Sequence, residues 1–233
     1  MKTITLLTAA MLVTPLAVQV PTHGGESRIQ LHGEFLRPSQ VIIGNPTPTT
    51  ELTDQADSQV GFGIRLMGEL PGLNNWYYTV GGRLNSPSKF ATTPSSANGY
   101  TNTTGIKYNY SYWTVGVGYM WVLTPGLSFG THLECRGEAL SASGDLYTGG
   151  TASNPGQPQR VDANATYVRP WGRLSLDYSF KAAGASPFIG LDASVAMLKS
   201  TQDKAIPPTY WDDNTVKSMA PQVSFSVYFG LKF

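Results

Sequence analysis

The last eleven residues, VSFSVYFGLKF, alternate without a break. Val223, Phe225, Val227, Phe229, Leu231 and Phe233 are bulky and apolar, whereas Ser224, Ser226, Tyr228, Gly230 and Lys232 are small or carry a polar group. A period of two is that of a β-strand with one apolar and one polar face. The pattern recurs upstream. Ile29, Leu31, Gly33 and Phe35 oppose Arg28, Gln30, His32 and Glu34; Val60, Phe62, Ile64 and Leu66 oppose Gly61, Gly63, Arg65, Met67 and Glu69. Trp76, Tyr78, Val80, Gly82 and Leu84 oppose Tyr77, Thr79, Gly81 and Arg83; Trp113, Val115, Val117, Tyr119 and Trp121 oppose Thr114, Gly116, Gly118 and Met120. Leu127, Phe129, Thr131, Leu133 and Cys135 oppose Gly130, His132, Glu134, Arg136 and Glu138; Leu174, Leu176, Tyr178 and Phe180 oppose Arg173, Ser175 and Asp177. Ile189, Leu191, Ala193, Val195 and Met197 oppose Gly190, Asp192 and Ser194. With the tail this makes eight strands. Ahead of Trp113, the bulk of Ile106, Tyr108, Tyr110 and Tyr112 lies on the other phase, which predicts a bulge or strand end near Tyr112.

Eight amphipathic strands could form a sandwich or a closed ring, and the connections between them decide. Long stretches at 38–57, 86–105, 141–164 and 200–221 alternate with short ones at 71–75, 122–126 and 181–186. A transmembrane barrel has this rhythm, with short turns on one side and long loops on the other. The long stretches, such as SPSKFATTPSSANGYTNTTG, are rich in residues that favour irregular, exposed backbone. Apolar-face aromatics fall at two levels: Trp76, Tyr78, Tyr119, Trp121, Phe129, Tyr178, Phe180, Phe229 and Phe233 near the turns, and Phe35, Phe62, Tyr112 and Trp113 opposite. The expected fold is all-β, an eight-stranded antiparallel transmembrane β-barrel in an up-and-down meander over residues 27–233. Lipid is then the layer against which the apolar faces pack, and closure leaves no backbone edge unpaired.

Residues 1–22 read as a signal peptide, with Lys2 before an apolar run from Ile4 to about Val18 that Pro15 interrupts, and cleavage expected at about 18–25. The run is too short to span a bilayer as a helix. Cys135 is the only cysteine, so an internal disulfide framework is excluded. The formal net charge of +1 supplies no basic face for nucleic acid.

The polar faces carry Arg28, His32, Glu34, Arg65, Glu69, Arg83, His132, Glu134, Arg136, Glu138, Arg173, Asp177 and Asp192. An eight-stranded barrel is only wide enough for side chains to fill it, so these charges are expected to pair as a salt-bridged plug. Small lumen residues such as Gly61, Gly63, Gly116, Gly118 and Gly190 would leave voids beside them, which is the argument for a narrow channel gated by exchange of ion-pair partners. His32/Glu34 and His132/Glu134 lie at equal heights on opposite strands and are zinc ligands in kind. Alternate residues of any polar face share a side, however, so no metal or other cofactor is expected. No histidine lies on an apolar face near a serine, and no catalytic residue is assigned. Cys135 faces lipid.

The even strand count, dyad alternation, loop rhythm and final Phe233 resemble the small eight-stranded outer-membrane barrels, of the OmpA transmembrane domain, OmpX/Ail and opacity-protein type. The resemblance implies the outer membrane of a Gram-negative-type bacterium, contact with its lipid and lipopolysaccharide, and handling by periplasmic chaperones. It also implies that Phe229, Leu231 and Phe233 form the signal read by the barrel assembly machinery. The loops, with Phe90, Tyr100, Tyr147, Tyr210 and Trp211 among acids such as Glu51, Asp54, Asp57, Asp203, Asp212 and Asp213, suit a surface ligand. The expected role is therefore structural or adhesion-like and not enzymatic, with a narrow porin as the alternative.

Overall fold

The computed structural model describes residues 25–39, 41–43, 52–54, 58–84, 88–89, 101–102, 106–148, 156–181, 184–198 and 213–233. The expected signal peptide and the loop residues Glu51, Asp57, Phe90, Tyr100, Asp203, Tyr210, Trp211 and Asp212 lie outside them. Eight long strands follow one another: β1 (Ser27–Leu36), β2 (Gln59–Glu69), β3 (Trp76–Arg83), β4 (Lys107–Thr124), β5 (Leu127–Thr148), β6 (Pro158–Ser179), β7 (Ser186–Ala196) and β8 (Val223–Lys232). Each pairs antiparallel with the next. The last returns to the first, Arg28 opposite Lys232 and Leu36 opposite Ser224, so the sheet closes into a ring. At the seam Phe233 N donates to Ser27 O at 2.9 Å, and Ser27 N donates back to Phe233 O at 3.3 Å. Short ladders decorate the long-loop end: Val41–Ile43 on Leu52–Asp54, Ser88–Lys89 on β4 and Thr101–Asn102 on β5.

The period-two pattern sets which way each side chain points. On β8 every odd residue from Val223 to Leu231 is exposed on the outer wall, while Ser224, Ser226 and Tyr228 are buried inside. Trp76, Tyr119, Trp121 and Phe129 form an unbroken outer row of ring contacts 4.8 to 5.6 Å apart at the turn end, and Tyr178 and Phe180 meet edge to face there at 5.2 Å. At the other level stand Phe35, Phe62 and Trp113.

Tyr112 is a correction: it points into the barrel, 3% exposed, and no bulge or strand end occurs beside it. The β4–β5 register runs unshifted from Lys107 opposite Ser143 to Val122 opposite Ser128. What changes near Tyr112 is the medium outside. Below it, outward residues are Trp113, Val115 and Val117; above it they are Ser111, Asn109 and Lys107, while Tyr108, Tyr110 and Tyr112 pack inward. The strand has left the apolar belt and behaves like a strand in water, polar outside and apolar inside.

The same inversion corrects the 141–164 connection, expected as a loop. It is largely strand, with β5 running to Thr148 and β6 starting at Pro158, and the ladder reaches Tyr147 opposite Pro158. In and beside it the inward residues Leu140, Ala142, Val161, Ala163 and Ala165 are buried, whereas Asp162, Asn164 and Thr166 face out. The large outward apolar side chains that mark a lipid-facing strand are missing because this part is not in lipid. Within the expected loop 200–221, residues Asp213–Ser218 form a short helix, α1.

The belt makes a measurable prediction. Val227 is 64% exposed in mid-strand on the outer wall, so Val227→Arg is expected to destabilise the bilayer-folded protein by about 2–4 kcal/mol, whereas Thr166→Arg, above the belt, will change it by less than about 0.5 kcal/mol. Equilibrium refolding into phospholipid vesicles measures both. Equal tolerance at the two positions would mean that water, not lipid, wets the outer wall.

Candidate functional site

Inward-pointing charges from seven of the eight strands, all but β4, meet in the lumen, which the barrel's curvature makes too narrow for them to avoid one another. At the turn end, Arg28 Nη1 donates to Asp177 Oδ2 at 2.8 Å, and its Nε donates to the Glu26 carboxylate. Lys232 Nζ lies 3.9 Å from an oxygen of each acid. Tyr77 and Phe188 present ring faces to the Arg28 guanidinium at 5.0 and 5.8 Å. Glu69 departs from the expected network. It is half-buried and accepts from the backbone N–H groups of Asn75 at 2.7 Å and Glu26 at 3.3 Å, so it braces a turn instead of pairing with an arginine.

In the middle, Glu134 serves three guanidiniums. Arg173 Nε is 2.6 Å away, Arg136 Nη2 3.2 Å and Arg65 Nε 3.9 Å. Arg65 Nη1 also donates to Asp192 Oδ2 at 3.0 Å and to Gln30 Oε1 at 3.2 Å. Glu34 takes Arg83 Nε at 3.2 Å, Arg136 Nη1 at 3.6 Å and the Tyr112 hydroxyl at 3.2 Å. The upper pair is bidentate: Arg169 Nε and Nη2 donate to Glu138 at 2.7 and 2.9 Å, and Glu138 also accepts from Trp171 Nε1 and the Tyr110 hydroxyl. Arg136 is sandwiched between Tyr112 and Trp171, 4.5 and 4.2 Å from the ring centroids.

Above this pair an apolar layer closes the ring. Leu36, Ile106, Tyr108, Leu140, Val161 and Ala163 bury Val216, Met219 and Ala220 from α1 and the turn after it. Ser39 N donates to Met219 O at 2.9 Å, Ser39 Oγ to Ala220 O at 2.7 Å, and Arg169 Nη2 to Pro221 O at 2.7 Å. The segment is therefore tied to the barrel at both levels.

Twelve of the thirteen expected lumen residues are buried where the alternation put them, with Glu69 the exception. The voids expected beside the lumen glycines are filled. Gly61 lies under the Arg83 guanidinium, Gly63 under the His32 ring and Gly118 under His132, and a methyl group on Gly116 or Gly130 would come within 3.0 Å of the Glu134 side chain or Met120 Sδ. The two His-x-Glu pairs do not form a ligand set. Their carboxylates are held by arginines, and His132 Nε2 sits 3.3 Å from Ser175 Oγ. Among the described residues no group of three or more His, Cys, Asp or Glu could hold a metal ion. Missed from sequence were Arg169, Trp171, Tyr110 and Tyr112. Arg169 and Trp171 share the parity of Arg173, and following that phase back through Pro170 would have found them.

A closed ladder, a charged and packed interior and an apolar outer belt admit one architecture. The chain is a transmembrane β-barrel. No family model matches it, and no curated protein does. Among solved structures, this barrel is similar to neisserial surface protein A, with a TM-score of 0.44 and 9% identity over 90% of this chain and 97% of that one. It is similar also to Ail, the attachment invasion locus protein of Yersinia pestis, with a TM-score of 0.42 and 12% identity over 90% of this chain and 99% of that one. A second structure of Ail, in complex with the heparin analogue sucrose octasulfate, gives 0.41 at the same identity and coverage.

Proposed function

We propose that this barrel resides in the outer membrane of a Gram-negative-type bacterium and acts as a surface-interaction, adhesion-like protein through its long-loop end. The observation that carries the reading is the inequality of the strands. β4, β5 and β6 have 18, 22 and 22 residues, against 8 to 11 for the others. Crossing a bilayer takes roughly 9–11 residues, so about half of β5 and β6 is surplus to spanning. That surplus raises a sheet above the belt, with Lys107, Asn109, Asp162 and Thr166 on its outer face. A sheet that adds nothing to anchorage is a platform for contacts. Lipid and lipopolysaccharide contact the belt in this reading, and Phe229, Leu231 and Phe233 at the closing seam form the assembly signal read with the help of periplasmic chaperones.

The narrow-channel alternative is disfavoured by the filled lumen and the apolar closure, and the barrel has no enzymatic part in this reading. Exchanging 86–105 and 200–212 for short Gly/Ser linkers, while keeping 213–221 and so the closing helix, is expected to abolish binding to host cells or matrix and to leave assembly intact by heat-modifiable gel mobility. The refolded wild type is expected to hold planar bilayers at baseline conductance. Binding that survives the exchange, or discrete conductance steps, would sink the proposal.

A further inference from the structure

The lumen ion pairs fall into three groups with no shared member. Arg28, Lys232, Glu26 and Asp177 make one and Arg169 with Glu138 another. Between them, Arg65, Arg83, Arg136 and Arg173 share Glu34, Glu134 and Asp192. This middle group sets four guanidiniums against three carboxylates, each residue at most 5% exposed, and among the described residues no further acid pairs with it. An arginine cannot shed its proton to relieve the imbalance. Among the described residues, one positive charge in the barrel interior is therefore left without a counter-charge.

The excess has an address. Arg83 is held by Glu34 and the Tyr110 carbonyl, and Arg136 by two carboxylates and two aromatic faces. Among the described residues, Arg173 has only its Nε bond to Glu134, and its Nη1 and Nη2 have no hydrogen-bond partner. The next nearest acid to Arg173, Asp192, is 4.0 Å from Nη1 through an oxygen that Arg65 already holds at 3.0 Å. In the register, Arg173 stands beside Ser194 of β7, which stands beside Ser224 of β8, while Ser226 is two residues further along the same face. All three hydroxyls are buried, with no hydrogen-bond partner among the described residues. Ser194, Ser224 and Ser226 are short side chains on adjacent strands, about 4.8 Å apart, and they present their hydroxyls to the same inner face as Arg173. Leu36, which pairs with Ser224, belongs to the apolar layer above, so the place is sealed from the long-loop end.

We propose that the barrel holds a buried site for a small monovalent inorganic anion, bound by Nη1 and Nη2 of Arg173 and the hydroxyls of Ser194, Ser224 and Ser226. The single excess charge sets the valence. Asp192, whose Oδ1 is also without a partner among the described residues, stands beside Ser226 and repels a multiply charged phosphate or sulfate more strongly than a monovalent ion. The anion completes the ion-pair network and thereby stabilises the barrel.

Chloride and bromide are the probes. The protein refolded in detergent is expected to melt a few degrees higher as chloride replaces gluconate at constant ionic strength, with saturation, because only the folded state carries the site. Crystals grown in bromide are expected to show an anomalous peak beside Arg173 Nη1 and Nη2. Ser224→Asp supplies the negative charge covalently and should keep the higher melting temperature with no chloride dependence; Ser194→Val, which keeps the arginine network, should weaken the dependence several-fold. Melting that follows ionic strength whatever the anion, or water in place of bromide at that position, overturns the proposal.

Discussion

Glu134→Gln will destabilise the folded barrel by about 3–5 kcal/mol, the cost of removing one partner from a buried ion pair and leaving the other uncompensated. The effect is large here because one carboxylate faces Arg173 at 2.6 Å, Arg136 at 3.2 Å and Arg65 at 3.9 Å. The amide keeps the shape and loses the charge, so packing hardly changes. After the exchange the central group retains four guanidiniums and two carboxylates. Urea unfolding from vesicles measures the loss. Combining it with Arg173→Met tests the cause: if charge imbalance is the source, the double variant should be more stable than the sum of the two single losses predicts, by about 0.5–3 kcal/mol. A loss below about 1 kcal/mol in the single variant would mean that water screens the lumen, and the packed interior would have to be redrawn.

Trp171→Ala is the second large loss expected, about 3–5 kcal/mol. Trp171 is fully buried, and its ring faces carry Arg136 at 4.2 Å and Arg169 at 5.1 Å. Its Nε1 donates to Glu138 at 3.0 Å, tying the ring that carries Arg136 to the Arg169–Glu138 pair above it. Trp171→Phe keeps a ring under the arginines and removes the donor, so it should cost only about 1–3 kcal/mol, the range for a buried acceptor that loses a partner. The same unfolding assay ranks the two. Equal losses would assign the whole effect to the Nε1 bond and none to the ring.

Much of this was legible in advance, and the misses share a cause. The alternation placed Arg65, Arg83, Arg136, Arg173 and Asp192 on one face with no knowledge of their partners, because side chains on a strand alternate by covalent geometry alone. It misjudged Tyr112 because bulk was equated with outward. That equation holds only where lipid is outside; above the belt the outer medium is water and the bulky tyrosines turn in. The 141–164 segment was misread for the same reason, its outward Asp162, Asn164 and Thr166 having the composition of a loop and the backbone of a strand. The lumen glycines misled in the opposite sense. A missing side chain suggests a void within one strand, but His32 and His132 reach across from neighbouring strands to cover Gly63 and Gly118.

The sequence by itself determined the strand count, the alternation of short turns with long connections and, within the apolar belt, the face each residue occupies, since all of these follow from a local period and from turn composition. The tertiary structure decided which charges meet. Arg65 on β2 reaches Asp192 on β7 and Glu134 on β5, partners more than sixty residues away in sequence. Strand register and the width of the closed ring bring them together, and neither is written in the alternation of any one strand.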